Sequence, residues 1–153
     1  MKINYIFIPL ITIATAWIGN YLTFGGMAWY KTINLPSWTP PGFIIGTVWT
    51  ILFILAAISA IIVWNAEMPD EKLALIVIFF VVNALLNIGW SLLFFNLHLI
   101  GASVFEAGFL GLSVLALVIF IWPVSVLAAA LLIPYFLWVS FATYLTYSVW
   151  IIN

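Results

Sequence analysis

Residues 37–64 read SWTPPGFIIGTVWTILFILAAISAIIVW, so that a tryptophan and double-proline corner leads directly into an unbroken apolar segment. Pro40 and Pro41 each fix φ and lack an N–H group, and Pro40 also disfavours helical angles at Thr39. We therefore expect an extended corner, with a helix beginning near Phe43. Because a helix rises about 1.5 Å per residue and a hydrocarbon core is about 30 Å thick, the apolar segment is long enough to span a membrane.

The composition of the whole chain indicates the same environment. Of the 153 residues, 68% are hydrophobic and 5% are charged, which lies far outside the mixture of a water-soluble domain. The charged residues are Lys2, Lys31, Glu67, Asp70, Glu71, Lys72 and Glu106. The net charge of −1 offers no basic patch for nucleic acid, and the lack of cysteine excludes disulfides and cysteine metal sites.

Breaks between the apolar runs divide a single domain, residues 1–153, into five predicted spans. These cover about residues 3–24, 43–64, 73–95, 100–121 and 124–151. The first span is predicted to end at Gly25-Gly26. Backbone groups in lipid must be satisfied within the segment, so each run is predicted to be a helix, and continuous runs do not fit the alternating strands of a barrel. The predicted fold class is an all-α integral membrane protein, a bundle of five transmembrane helices.

The start of the chain admits a second interpretation. Met1-Lys2, an apolar stretch and then residues 14–16 are typical of a signal peptide with a small-residue cleavage site. The apolar run continues to Phe24, however, which favours a retained first helix. Lys2 and Lys72 fall on one side of the membrane and Lys31 on the other, so the charge bias does not determine the orientation.

Aromatic and amide side chains share faces of the predicted helices. Trp49 and Phe53 form an i, i+4 pair, and Ala142 follows Trp138 at the same spacing, which leaves a gap beside a large ring. One face of the third span carries Asn83, Asn87, Trp90, Ser91 and Phe94. A buried asparagine must find partners, so this face indicates either hydrogen bonds between helices or a ligand contact. Tryptophans near the predicted span ends also fit interfacial belts.

The fourth span and the turn before it raise three hypotheses. Ser103, Ala107 and Gly111 repeat small residues every four positions, which favours close helix contact, either within the chain or across a dimer interface. Glu106 within a span raises a proton-relay hypothesis, but the absence of another charge in the predicted spans favours a protonated or hydrogen-bonded acid. His98 has no second histidine as a haem partner, so we interpret it as a solvated turn residue.

Three segments resemble motifs of the TspO/translocator protein family, the tryptophan-rich sensory proteins once called peripheral benzodiazepine receptors. The segments are residues 35–42 with Trp49, residues 83–90 with Phe94-Phe95, and residues 132–138 with residues 141–143. They occur in the family's order, and the resemblance covers nearly the whole chain.

The resemblance implies a five-helix bundle in a bacterial cell membrane, usually dimeric, whose first loop caps a pocket. The implied ligands are porphyrins such as protoporphyrin IX or haem, sterols and isoquinoline carboxamides, with no metal site and no obligatory cofactor. Carried over by position, the implied ligand-binding residues are Trp29, Tyr30, Trp38 and Pro40 in the loop, and Trp49, Phe53, Asn87, Trp90, Trp138 and Ala142 on helices. The implied function is a receptor or carrier in tetrapyrrole handling or stress sensing rather than an enzyme.

Two alternatives stay open. The first is light- and oxygen-dependent degradation of protoporphyrin IX, a reaction of bacterial relatives, with Trp49 and Trp138 as candidate catalytic residues because tryptophan can be oxidised. The second is a structural or sterol-binding bundle. No lysine or arginine follows Lys72, so the basic residue that ends the family's sterol motif is missing here.

Overall fold

The computed structural model describes residues 3–153, so Met1 and Lys2 of the possible signal peptide lie outside the described residues. Within this range the chain is helical and contains no strand. The helices are α1 (Asn4–Tyr30), α2 (Gly42–Trp64), α3 (Asp70–Ser91), α4 (Ile100–Ile121), α5 (Val126–Ala130) and α6 (Ile133–Ile151), and a π-helical turn, Leu92–Asn96, continues α3. Five segments are long and apolar enough to cross a membrane, the fifth formed by α5 and α6 together. The predicted all-α, five-span fold class is confirmed.

Two of the long helices begin directly after a proline. Pro41 precedes α2 with φ −55° and ψ 143°, and Pro69 precedes α3 with φ −58° and ψ 142°. Both backbones are extended, and each proline carbonyl accepts a first helical hydrogen bond, at 2.9 Å from the N–H of Ile44 and 3.0 Å from that of Lys72. The predicted extended corner before the second span is therefore confirmed.

Helix α1 does not end at Gly25-Gly26 as predicted but continues to Tyr30. Gly26 is buried, and a Cβ atom on it would lie 2.0 Å from the carbonyl oxygen of Phe95. The glycine is therefore needed for close packing against the π-helical turn rather than for a helix end. As a consequence Trp29 and Tyr30, predicted in the first loop, occupy the last turn of α1.

The fifth span, predicted as one run, is divided into two helices. The hydroxyl oxygen of Ser125 accepts a hydrogen bond of 3.2 Å from the N–H of Ala128 and so caps α5. Pro134 lies in the first turn of α6. Backbone N–H groups in a first turn have no acceptor within the helix, so the N–H group that proline lacks costs no helical hydrogen bond. A cap and a proline placed so close together explain the break between the two helices.

The helices form a bundle around unequal amounts of core. Helix α4 packs against α3 and α6, α1 packs against α2 and α3, and α2 packs against α5 but only loosely against α6. Buried apolar side chains of α2, α3, α4, α5 and α6 fill the end of the bundle away from the first loop, which is formed by residues 31–41 between α1 and α2; examples are Val63, Ile121 and Ala128. Helix α1 buries only Asn4, Thr15 and Gly26, because one side of it borders a cavity described below.

The small residues of α4 are used within the chain. Ser103 and Ala107 are 0% and 3% exposed. Gly111 is also buried, and a Cβ atom added to it would lie 3.5 Å from a methyl group of Val139 on α6. This face is therefore packed within the chain, where α6 covers Gly111. A homodimer stays a prediction.

Candidate functional site

A cavity of about 1040 Å³ lies between the helices. Helices α1 and α2 line it along most of their length, and α3, α6 and the π-helical turn line it with their halves nearest the first loop. Helix α4 contributes Ala107 and Leu110. Among residues 3–153, no charged side chain lies in the wall. The volume lies at the upper end of the range of about 300–1,000 Å³ that is usual for small-molecule sites.

Three tryptophans stand in the cavity wall, each on a different helix. Trp49 of α2 lies 5.8 Å from the ring of Phe53 and contacts the ring of Tyr135 edge-on at 5.9 Å. Trp90 of α3 stacks on Phe94 at 5.1 Å with an interplanar angle of 11°. Trp138 of α6 is the third indole of the wall. Aromatic contacts of this kind hold the rings in fixed orientations, so the wall offers rigid flat surfaces.

A buried hydrogen-bond network joins three helices beside the cavity. The side-chain amide of Asn83 donates to the hydroxyl of Ser113 at 2.9 Å, and the hydroxyl of Tyr135 donates to Asn83 Oδ1 at 2.9 Å. The Asn87 amide donates to the Tyr135 hydroxyl and, at 3.1 Å, to the backbone carbonyl of Asn83. Asn83 thus serves mainly as a link between α3, α4 and α6. Asn87 belongs to the same network but also lines the cavity.

Few of the polar groups in the wall can bind a ligand. Threonine hydroxyls in the wall donate to carbonyls of their own helices, as in Thr12, Thr15, Thr23, Thr47, Thr50 and Thr146. Trp138 differs, because its indole N–H is buried and has no acceptor among the described residues. The wall is therefore apolar in effect, with Asn87, Asn20 and the N–H of Trp138 as its main polar groups.

Seven of the ten sequence-derived ligand residues are brought together in this wall: Tyr30, Trp49, Phe53, Asn87, Trp90, Trp138 and Ala142. The two candidate catalytic residues, Trp49 and Trp138, are both among them. Trp29, Trp38 and Pro40 are not in the wall. Trp29 instead stacks on His98 at 4.2 Å.

The first loop packs onto α6 rather than contributing Trp38 to the wall. The Trp38 indole stacks on Tyr144 at 5.5 Å with an angle of 14° and contacts Phe141 at 6.0 Å. Phe141 does line the cavity, so Trp38 lies behind the wall. Earlier in the loop, the backbone N–H of Asn34 donates to the side chain of Asn153 at 2.9 Å, and the Asn153 amide donates back to the Asn34 carbonyl at 2.9 Å. Both contacts fix the loop against the end of α6.

The first helix supplies a part of the wall that sequence reasoning missed. Its side chains in the wall include a row of mostly small residues, namely Thr12, Ala16, Gly19, Thr23 and Met27. Their spacings of four, three, four and four place them on one helical face. This periodicity was visible in the sequence and indicates a face that leaves room beside it.

His98 and the remaining acidic residues do not form a metal site. His98 is exposed and has a φ of 56° in the turn before α4. Within residues 3–153, no group of three histidine, cysteine, aspartate or glutamate side chains is close enough to hold a metal ion. The interpretation of His98 as a turn residue agrees with its position.

The fold and the cavity together define an integral membrane protein whose helical bundle borders an apolar, aromatic cavity of ligand size. A model of the TspO/MBR family matches residues 7–151, and the chain belongs to this family. It is 33% identical to the tryptophan-rich protein TspO of Bacillus cereus over 153 residues, which covers 100% of this chain and 99% of the relative.

Two other relatives show the same similarity. The chain is 36% identical to protein CrtK of Rhodobacter capsulatus over 126 residues, 82% of this chain and 79% of the relative. It is 30% identical to the translocator protein of Homo sapiens over 135 residues, 87% of this chain and 80% of the relative. The family resemblance derived from the three sequence motifs is thereby confirmed. Membership of this family supports a role as a membrane receptor or sensor.

Proposed function

We propose that this protein is a membrane receptor or carrier for porphyrins and related flat apolar molecules, with a role in tetrapyrrole handling or stress sensing. The observation that carries the proposal is the uncharged cavity of about 1040 Å³ with three indoles in its wall. Indole faces bind planar conjugated ligands by stacking and by burial of apolar area. The largely preformed wall lowers the entropy cost of binding.

The polar groups of the wall suggest how a ligand is oriented. The N–H of Trp138 lacks an acceptor among the described residues, and Asn87 lines the cavity beside the buried network. A ligand carbonyl or ring nitrogen could accept from Trp138 once the indole turns slightly toward the cavity. Such a bond would be favourable, because a buried donor without a partner costs about 1–3 kcal/mol.

The carboxylates of a porphyrin would stay at the end of the cavity nearest the first loop. A carboxylate is too costly to bury in an uncharged wall. At the loop end, Lys31 directly follows the cavity residue Tyr30. The opposite end carries three acids and one lysine, Glu67, Asp70, Glu71 and Lys72, and the net negative charge of this set would repel an anion. We therefore place the macrocycle between the indoles and its carboxylates toward Lys31.

A titration tests the proposal directly. Purified protein is titrated in the dark with protoporphyrin IX, haem, a sterol and an isoquinoline carboxamide, and tryptophan fluorescence is recorded. Saturable quenching by protoporphyrin IX at micromolar concentration is expected. If neither protoporphyrin IX nor haem quenched the fluorescence, the proposal would be contradicted. Saturable binding of the sterol alone would favour the sterol-binding alternative.

The second candidate function is light-dependent oxidation of a bound porphyrin by oxygen. It is supported by the position of Trp49 and Trp138, two oxidisable side chains that border the same cavity. We expect Trp138→Phe to slow the light-dependent loss of porphyrin absorbance more than it weakens binding. Equal loss of porphyrin absorbance with and without the protein would contradict this second candidate function.

A further inference from the structure

Glu106 is an acid with buried carboxyl oxygens that the proposed ligand site does not use. It lies on α4, and both of its carboxyl oxygens are buried without a hydrogen-bond partner among the described residues. Its Oε1 lies 3.6 Å from the position that a Cβ atom on Gly89 would occupy. The carboxyl group is therefore enclosed between α3 and α4, at a point where α3 carries no side chain.

Among the described residues, no countercharge pairs with the carboxyl group of Glu106. On α6, the titratable group that interacts electrostatically with Glu106 is Tyr135. The amides of Asn83 and Asn87 on α3, which hydrogen-bond with the Tyr135 hydroxyl, are uncharged. Apart from tyrosines, the other charged or titratable residues of the described chain lie in loops or at helix ends. They are Lys31, Glu67, Asp70, Glu71, Lys72 and His98. None of them hydrogen-bonds to the carboxyl oxygens of Glu106.

Three states of this carboxyl group can be compared. A bare carboxylate is disfavoured, because a buried ion without a partner costs several kcal/mol. A bound metal cation is also disfavoured, since hard cations need about six oxygen ligands and the neighbouring helix carbonyls are engaged within their own helices. A proton needs only one carboxyl oxygen. We propose that Glu106 is a proton-binding site, with its carboxyl held neutral in the interface between α3 and α4.

The position of the site gives the proton a structural effect. Asn83 bonds to Ser113 across the same α3–α4 interface at 2.9 Å, and Asn87, on the adjacent turn of α3, lines the cavity. Ionisation of Glu106 would draw water between the two helices and loosen their packing. The proton therefore stabilises both the interface and the part of the cavity wall that α3 provides. This inference does not rest on the identity of the ligand.

Infrared spectroscopy of the protein in lipid tests the inference. At neutral pH the wild-type protein should show a carbonyl-stretch band of a protonated carboxylic acid, shifted by deuterium exchange. The band should be absent in Glu106→Gln and present in the matched control Glu67→Gln, which alters an exposed acid. A wild-type spectrum without the band, or a band that persists in Glu106→Gln, overturns the proposal. Because a wild-type spectrum without the band is enough to overturn the proposal, the test remains valid even if Glu106→Gln does not fold.

Thermal unfolding supplies a readout of the effect on packing. If the folded state holds a proton that the unfolded state releases, the unfolding equilibrium constant rises by up to about tenfold per pH unit. An unfolded glutamate releases its proton above about pH 4.3. The melting temperature of wild type should therefore fall as pH is raised from about 4.3 through neutral, and that of Glu106→Gln should fall less. Identical pH dependence of the two proteins would overturn the link between the proton and the packing of α3 on α4.

Discussion

Replacement of Gly46 by phenylalanine should block the cavity without disturbing the fold. Gly46 lies on α2 and lines the cavity, and a Cβ atom placed on it would have no other atom within 4 Å. A phenylalanine at this position can therefore extend into the open space instead of displacing a neighbouring helix. Glycine is also among the weakest helix formers, so its replacement should leave helix stability unchanged or raise it by a few tenths of a kcal/mol.

The expected effect on binding follows from the space that the new ring occupies. A ligand that fills the cavity would have to displace the ring or bind in a strained position, and overpacking of this kind costs about 1–3 kcal/mol. Each 1.4 kcal/mol corresponds to about a factor of ten in affinity. We therefore expect the dissociation constant of protoporphyrin IX to rise about 5- to 150-fold.

Gly108 on α4 provides a matched control. It is also a helical glycine with no atom within 4 Å of its Cβ position, but it does not line the cavity. Gly108→Phe should bind protoporphyrin IX like wild type in the same tryptophan-fluorescence titration, and both variants should melt near the wild-type temperature. If folded Gly46→Phe binds as tightly as Gly108→Phe, the ligand does not occupy this cavity and the reasoning is refuted.

Three further predictions concern packing, the polar network and the loop end. Gly26→Ala should lower the melting temperature strongly, because its Cβ would lie 2.0 Å from the Phe95 carbonyl oxygen, whereas an unchanged melting temperature would contradict the close packing of α1. Tyr135→Phe leaves the buried amides of Asn83 and Asn87 with one partner fewer each. This variant should lower the free energy of unfolding by about 1–3 kcal/mol. A loss near zero, measured by denaturant unfolding, would show that the network is not stabilising. Lys31→Gln should weaken protoporphyrin IX about two- to fivefold at low salt and leave its dimethyl ester unaffected; equal effects on both ligands would contradict the proposed orientation.

The sequence predicted the number of spans well because hydropathy and the bilayer thickness limit the possibilities. It did not predict the end of α1, since Gly25-Gly26 are equally compatible with a helix end and with a close helix contact. The contact with Phe95 that decides between them joins residues far apart in the chain. The small face of α4 was ambiguous for the same reason, because packing on α6 and packing on a second chain require the same residues.

The candidate site was predictable for those residues of the family motifs that lie on helices. Trp49, Asn87 and Trp138 stand in one cavity wall, as the shared helical faces and the resemblance suggested. The position of Trp38 was not predictable, since an aromatic residue in a loop can point into a pocket or pack on a helix. Its stacking on Tyr144 depends on how the loop crosses to α6, which no local pattern in the sequence records.

The most direct test of the central claim is a structure of the protein determined with protoporphyrin IX bound. We expect the macrocycle within the cavity, in contact with Trp49, Trp90 and Trp138, with its carboxylates toward Lys31. A macrocycle bound on the outer, lipid-facing surface of the bundle, with the cavity unoccupied, would contradict the account.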